Sequence, residues 1–134
     1  MRVILDTNVL LSAFLTDGMC SRILRRARHK HISFILCEPV LGETKRLLKN
    51  KFALSDNDVD FFVSILTEAA HEIHRLSDTL SGVCRDPDDD PILMCAIETE
   101  CDFIVTGDKD LLVLKEYQDT KIVSPRDFEM MFSD

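Results

Sequence analysis

No stretch of this chain holds the ~20 consecutive apolar residues that a helix needs to cross a bilayer. The nearest approach is the N-terminal MRVILDTNVLLSAFLTDG, where Asp6 and Asn8 interrupt the run and no small-residue cleavage site follows. It therefore also lacks the form of a secretory leader. A CxxC pair is missing. The five cysteines, Cys20, Cys37, Cys84, Cys95 and Cys101, are odd in number, which argues against a disulfide framework or a zinc site. Cys37 and Cys95 lie among apolar residues, where a thiol behaves as a small hydrophobe. Internal repeats, low-complexity tracts and linkers are absent too. What is present is a 134-residue chain with 46% hydrophobic residues and a mean hydropathy near zero. Such a composition describes one ordinary globular domain spanning 1–134, expected in the cytoplasm and without a membrane partner.

The net charge of −8 speaks at first against a polyanionic partner, but the charge is unevenly spread. Between positions 22 and 51 stand Arg22, Arg25, Arg26, Arg28, Lys30, Lys45, Arg46, Lys49 and Lys51, opposed only by Glu38 and Glu43. That segment carries +7 and the remainder −15. A basic region beside an acidic one suits a polyanion that must approach carboxylates, although a solvated helix face would show the same pattern.

Hydrophobic patterning predicts strands alternating with helices. VILD at 3–6 is a short β-branched run of the kind that forms a buried parallel strand, and NVLLSAFL continues as a helix. A second helix over roughly 20–30 ends in RRARHKH, and HISFILC at 31–37 is the second strand. Pro39 fits the first turn of a helix running to about Lys49. Ser55 with Asp58 resembles a capping box. The helix that follows aligns Val59, Phe62, Val63, Leu66, Ala69, Ala70 and Ile73 on one face, a core stripe rather than a base-stacking platform. A short strand near 71–76 is weakly indicated, and 77–90 is a polar loop. A largely buried helix over Pro91–Glu100, the strand DFIVTGD at 102–108, a short turn or helix in DKDLLVL, the strand KIVS at 121–124 and a helix opened by Pro125 complete the chain. The expected fold is α/β, three layers α/β/α, with a mainly parallel sheet of four to five strands.

Three acids stand out by position. Asp6 and Asp108 each close a hydrophobic strand, and open α/β sheets bind ligands outside the carboxyl ends of strands where strand order reverses. Glu43 lies one turn in from Pro39. A fourth acid comes from RDPDDDP at 85–91, which packs Asp86, Asp88, Asp89 and Asp90 into five positions. Carboxylates brought together from separate segments must take up protons or have their charge offset by a cation. Oxygen ligands without organised His or Cys suit Mg²⁺ or Mn²⁺. Such an ion polarises a phosphoryl oxygen and lowers the pKa of an attacking water.

Four segments in order, VILDTNVLLSA (3–13), EPVLGETKRLL (38–48), RDPDDDPILMCAIETECDFIVTGDKDLL (85–112) and IVSPRDF (122–128), resemble the PIN domain family. The likeness is in particular to the group described as toxin components of toxin–antitoxin pairs, and it spans nearly the whole chain. The resemblance implies a metal-dependent endoribonuclease that hydrolyses single-stranded RNA in line, leaving 5′-phosphate and 3′-hydroxyl ends. Asp6, Glu43, Asp90 and Asp108 become its metal-binding and catalytic acids, with one or two Mg²⁺ or Mn²⁺ ions. Asn8, Thr106 and Asp110 match supporting positions, and Asp89 and Asp110 stand in reserve as ligands. The basic segment, chiefly Arg22, Arg25, Arg26, Lys45, Arg46 and Lys49, would hold the RNA backbone through salt-sensitive contacts. An antitoxin protein and a homodimer are the other partners the resemblance suggests.

Each residue also has a plainer role. Asp6 can accept amides at its strand end. Glu43 can pair with Lys45, Arg46 or Lys49. Asp90 before Pro91 makes a good helix cap, which would leave Asp89 as the ligand. Asp86 and Asp88 suit a loop turning at Pro87. His71 and His74 fit an ordinary surface or strand-end pair, His29 and His31 extend the basic segment, and Lys109 suits an exposed turn. Two other functional classes compete. One is a non-catalytic PIN-like module that binds RNA or protein. The other is a phosphotransfer domain using a strand-end aspartate, which would need a second aspartate where this chain has Asn8.

Overall fold

The computed structural model describes residues 1–76 and 91–132. The aspartates of RDPDDDP and the polar stretch 77–90 lie outside those residues.

Strand β1 (Arg2–Leu5) leads into α1 (Thr7–Leu15) and α2 (Met19–Arg28), then β2 (Ser33–Cys37), α3 (Glu38–Asn50), α4 (Asp56–Ala69) and β3 (Glu72–His74). After these come α5 (Pro91–Thr99), β4 (Phe103–Val105), α6 (Lys109–Leu112), β5 (Glu116–Tyr117), β6 (Thr120–Val123) and α7 (Pro125–Glu129). The sheet order is β3-β2-β1-β4-β6-β5, and every pairing is parallel except β5 with β6. Helices flank this sheet in three layers, as the alternating pattern predicts.

The strands are hydrophobic along their whole length because both faces are covered. Val3, Ile4, Leu5, Phe34, Ile35, Leu36, Ile104 and Val105 are at most 1% exposed. Burying each such side chain contributes on the order of 1.5–3 kcal/mol. Successive strands step outward from β1 through β2 to β3, and the chain then returns to place β4 on the other side of β1. The reversal opens a crevice at the carboxyl ends of β1 and β4.

Local chemistry sets the helix ends. Ser55 caps α4 by accepting the Asp58 amide at 3.1 Å, and Ser124 caps α7 by accepting the Asp127 amide at 3.1 Å, with Pro125 next in line. Helix α2 stops because Lys30 turns left-handed (φ 62). The His31 amide then donates to the Arg26 carbonyl and the Lys30 amide to Ala27, a Schellman arrangement. Left-handed backbone costs a non-glycine residue about 1–2 kcal/mol. The Lys30 ammonium offsets this by donating to the carbonyls of Glu68 (2.7 Å) and Ala69 (3.1 Å), which end α4.

Three expectations need correcting. The sheet has a sixth strand, β5, too short and polar to show as a hydrophobic run. Left-handed turns at Lys115 and Gln118 fold it back along β6. Ile73 leaves the α4 stripe: the helix ends at Ala69, and Ile73 sits on edge strand β3, 46% exposed. Val59, Phe62, Leu66 and Ala69 are buried as the stripe requires. Cys37 and Cys95 are not two separate small hydrophobes but form a disulfide across 58 residues, with Cα atoms 6.5 Å apart. Short-range spacing does not reveal it, because packing of α5 against the end of β2 brings the thiols together. Cys20 and Cys101 are unbonded thiols, and burial pushes both above the usual thiol range. No helix among the described residues is long and apolar enough to cross a membrane.

Candidate active site

Asp6 is the first residue past β1. Its own amide donates to the Val105 carbonyl at 3.0 Å, which extends the β1–β4 pairing by one step and fixes the aspartate at the switch point. Its carboxylate then caps α1, accepting the Thr7 amide on Oδ1 at 2.8 Å. The plainer role of Asp6 as an amide acceptor is therefore real, but it engages one oxygen. Oδ2 accepts the Thr106 hydroxyl at 2.7 Å and the Asn8 Nδ2 at 3.3 Å.

Thr106, at 0% exposed, ties the two strand ends together. Besides donating to Asp6, its hydroxyl accepts the Asp108 amide at 3.0 Å. Asn8 spans the same gap, accepting the Gly107 amide on Oδ1 at 2.9 Å. That bond fixes which way the Asn8 amide points. Asp108 in turn caps α6, accepting the Asp110 amide at 3.0 Å. Asn8 and Thr106 thus orient the two aspartates, and Asp110 braces Asp108 from outside through its backbone.

Glu43 approaches from the second turn of α3, where Thr7 Oγ1 donates to its Oε2 at a long 3.4 Å. No ion pair among the described residues joins it to Lys45, Arg46 or Lys49; Lys49 instead faces Asp56 at 3.4 Å. Asp6, Glu43 and Asp108 line one cavity of about 370 Å³ together with Thr7, Asn8, Leu11, Val40, Leu47, Pro91, Ile92 and Lys51. Pro91 directly follows the aspartate run, but Asp89 and Asp90 lie outside the described residues. Glu43 and Leu47 fall four residues apart on one face of α3, and Lys51, which caps its end, continues the step. The wall therefore rises roughly 12 Å between the backbones of Glu43 and Lys51. The sequence assigns no role to Thr7 and names Lys51 only as part of the basic segment; the four-residue steps from Glu43 would have placed Lys51 beside the acids.

The donor set is all hard oxygen, the kind that suits Mg²⁺ or Mn²⁺. Yet no group of three or more His, Cys, Asp or Glu among the described residues lies close enough to form a ready-made metal cage. This is compatible with Mg²⁺, which binds through one or two carboxylates and keeps several waters. The other named histidines do not add ligands. His71 is exposed, and His74 bonds to Glu98 at 2.8 Å.

The basic residues divide. Arg22, Arg25 and Arg26 line a different cavity with His29, His31 and Glu129. Lys45, Arg46 and Lys49 are exposed on α3 without lining the acidic cavity, whereas Lys51 lines it.

The fold is a mainly parallel α/β sheet with hydrogen-bonded acids at its switch point, the place where open α/β sheets bind ligands. The PIN domain family model matches residues 2–110, and the chain belongs to the PIN domain family. Members of this family are typically nucleases that use divalent metals, which supports a hydrolase reading of the crevice. No curated protein matches the chain.

Proposed function

We propose that this protein is a metal-dependent endoribonuclease that hydrolyses phosphodiester bonds of single-stranded RNA. The observation that carries the reading is the meeting of Asp6, Glu43 and Asp108 from three separate elements in one cavity, with Asn8 and Thr106 holding the first and last of them in place. Like charges so arranged do not help the fold, and a bound cation would offset them. Asp90, or Asp89 in its place, would add a fourth carboxylate.

A bound Mg²⁺ or Mn²⁺ would polarise the scissile phosphoryl oxygen and lower the pKa of the attacking water. Asp6 and Asp108 would hold that ion, oriented by Thr106, Asn8 and the helix-capping amides. Glu43 carries one weak hydrogen bond, so its carboxylate can take up the proton from the water as general base. Lys51, at the far end of the wall, would hold a neighbouring phosphate of the same strand. The test is Mn²⁺-dependent cleavage of a single-stranded RNA by the purified chain. Activity should vanish with chelator and in Asp6→Asn; cleavage that persists in the variant would refute the assignment.

The likeness of the four segments to toxin components extends the proposal to a toxin held by a protein antitoxin, and to a homodimer. An antitoxin-sized neighbouring coding sequence and the mass of the native particle would check these. A second reading, a non-catalytic PIN-like module, is favoured by the lack of a ready-made metal cage among the described residues. It predicts no heat of Mn²⁺ binding that Asp6→Asn or Asp108→Asn removes.

A further inference from the structure

The cavity on α2 is not part of the acidic crevice. No residue is common to the two, and their linings include His31 and Asp6, which lie at opposite ends of the strands. Asp6 follows the last residue of β1, whereas His31 precedes β2, whose first residue Ser33 pairs with Arg2 at the start of β1. From His31 to Cys37 at the carboxyl end of β2 is on the order of 20 Å at ~3.3 Å per residue.

The cavity measures about 340 Å³ and is lined by Arg22, Arg25, Arg26, His29, His31 and Glu129. Among the described residues Glu129 is the one acid in this lining, and Arg26 pairs with it. Both its oxygens accept from Arg26, at 2.7 and 3.2 Å, and the two side chains are 13% and 12% exposed. The Arg26 guanidinium also lies 3.9 Å over the Phe132 ring, so it belongs to the wall. Arg22 and Arg25 are exposed on the same helix face, and no ion pair among the described residues engages either. The Schellman turn at Lys30 brings His31 back beside His29, with ring centroids 5.8 Å apart and nearly parallel. Arginines in the last turns of a helix need no ligand to be explained, because they complement the negative end of the dipole. The dipole gives no reason, however, for a concave lining of two unmatched guanidiniums and two stacked imidazoles. Arginine forks of this kind fit phosphate oxygens.

We infer that the α2 cavity is a second RNA-binding site that grips the phosphates of a strand several nucleotides away from the bond being cut. This inference rests on the ribonuclease reading and deepens it: the substrate is a strand long enough to span both ends of the sheet.

The test is RNA binding by the full chain without divalent cation, measured by fluorescence anisotropy with a long and a short labelled single strand. In Arg22→Gln/Arg25→Gln the Kd for the long strand should weaken about tenfold, and the salt slope should fall by about 0.7 for each phosphate no longer held. A short strand should bind the wild type and this variant alike. A control of equal charge, Lys115→Gln/Lys121→Gln, should leave long-strand binding within about twofold of wild type. Equal weakening in both double variants would mean that net charge alone acts, and would overturn the second site. So would an unchanged Kd in the arginine variant, including the case where it loses affinity for polyglutamate instead, which would assign the cavity to an acidic protein segment. Cleavage of the short strand with Mn²⁺ by the same preparation reports on the crevice separately. Loss of one result without the other shows which reading has failed.

Discussion

The two ends of the sheet carry charge in opposite ways. At the carboxyl end, Asp6, Glu43 and Asp108 share a cavity in which Lys51 is the one cation among the described residues. At the amino end, the partly buried Glu129 is matched by the bidentate Arg26, and the exposed arginines stand around that neutral pair. The amino end is therefore built to be stable as it stands. Under the proposed function a cation completes the carboxyl end, and its charges should cost stability until that happens.

The largest expected effect comes from Asp108→Asn. Cleavage should fall by about 100-fold or more, the scale set by removing a group that acts on the reacting atoms. Because the substitution also relieves repulsion, the Tm measured in chelator should not fall; a clear drop would mean that Asp108 is a structural residue.

Next is the opposite end. Arg26→Met removes both donors that Glu129 accepts from and takes the guanidinium off the Phe132 ring, and should cost about 1–3 kcal/mol in urea unfolding. If Arg26→Met and Asp108→Asn proved equally harmless to stability, the contrast between the ends would collapse. Thr106→Val tests how the acids are held. It leaves Asp6 Oδ2 and the Asp108 amide each short of a partner and should cost about 1–3 kcal/mol. It should lower kcat about tenfold while the RNA Kd stays near wild type, since the acids are misplaced rather than removed.

The smallest effect is expected at Glu72, near the amino end. The Arg2 guanidinium at 2.9 Å holds the Glu72 carboxyl below the usual carboxylate range. A depressed folded pKa means the contribution is present at neutral pH, above the unfolded value, and is lost as pH falls through the folded value. Since the pair is substantially exposed, Glu72→Gln should change stability at pH 7 by less than about 1 kcal/mol. The difference should shrink further on acidification, as melting curves across the acid range would reveal.

How far the sequence discloses this arrangement depends on whether the physics is local. β1 is an apolar run closed by Asp6, so that strand and that acid's placement are legible. β4, by contrast, ends at Val105, and Asp108 lies three residues on, at the cap of α6, rather than closing the strand as its pattern predicts. The caps at Ser55 and Ser124 are equally local. The strand β5 is not legible, being Glu116 and Tyr117 held by a turn. Nor is the Cys37–Cys95 bond, which depends on packing between elements 58 residues apart. The basic segment shows the limit best. Residues 22–51 form one block of charge along the chain, but the helices carry Arg22 and Arg25 to one cavity and Lys51 to another. Counting charges along the sequence cannot distinguish the two ends of a strand.

The central claim is that the acids at the carboxyl end form a cation site. The most direct measurement is anomalous diffraction from a crystal of the protein soaked in Mn²⁺. Density is expected in the crevice within bonding distance of Asp6 and Asp108, with Asp89 or Asp90 completing the shell. Mn²⁺ bound elsewhere, with the crevice carboxylates left bare, would contradict the claim.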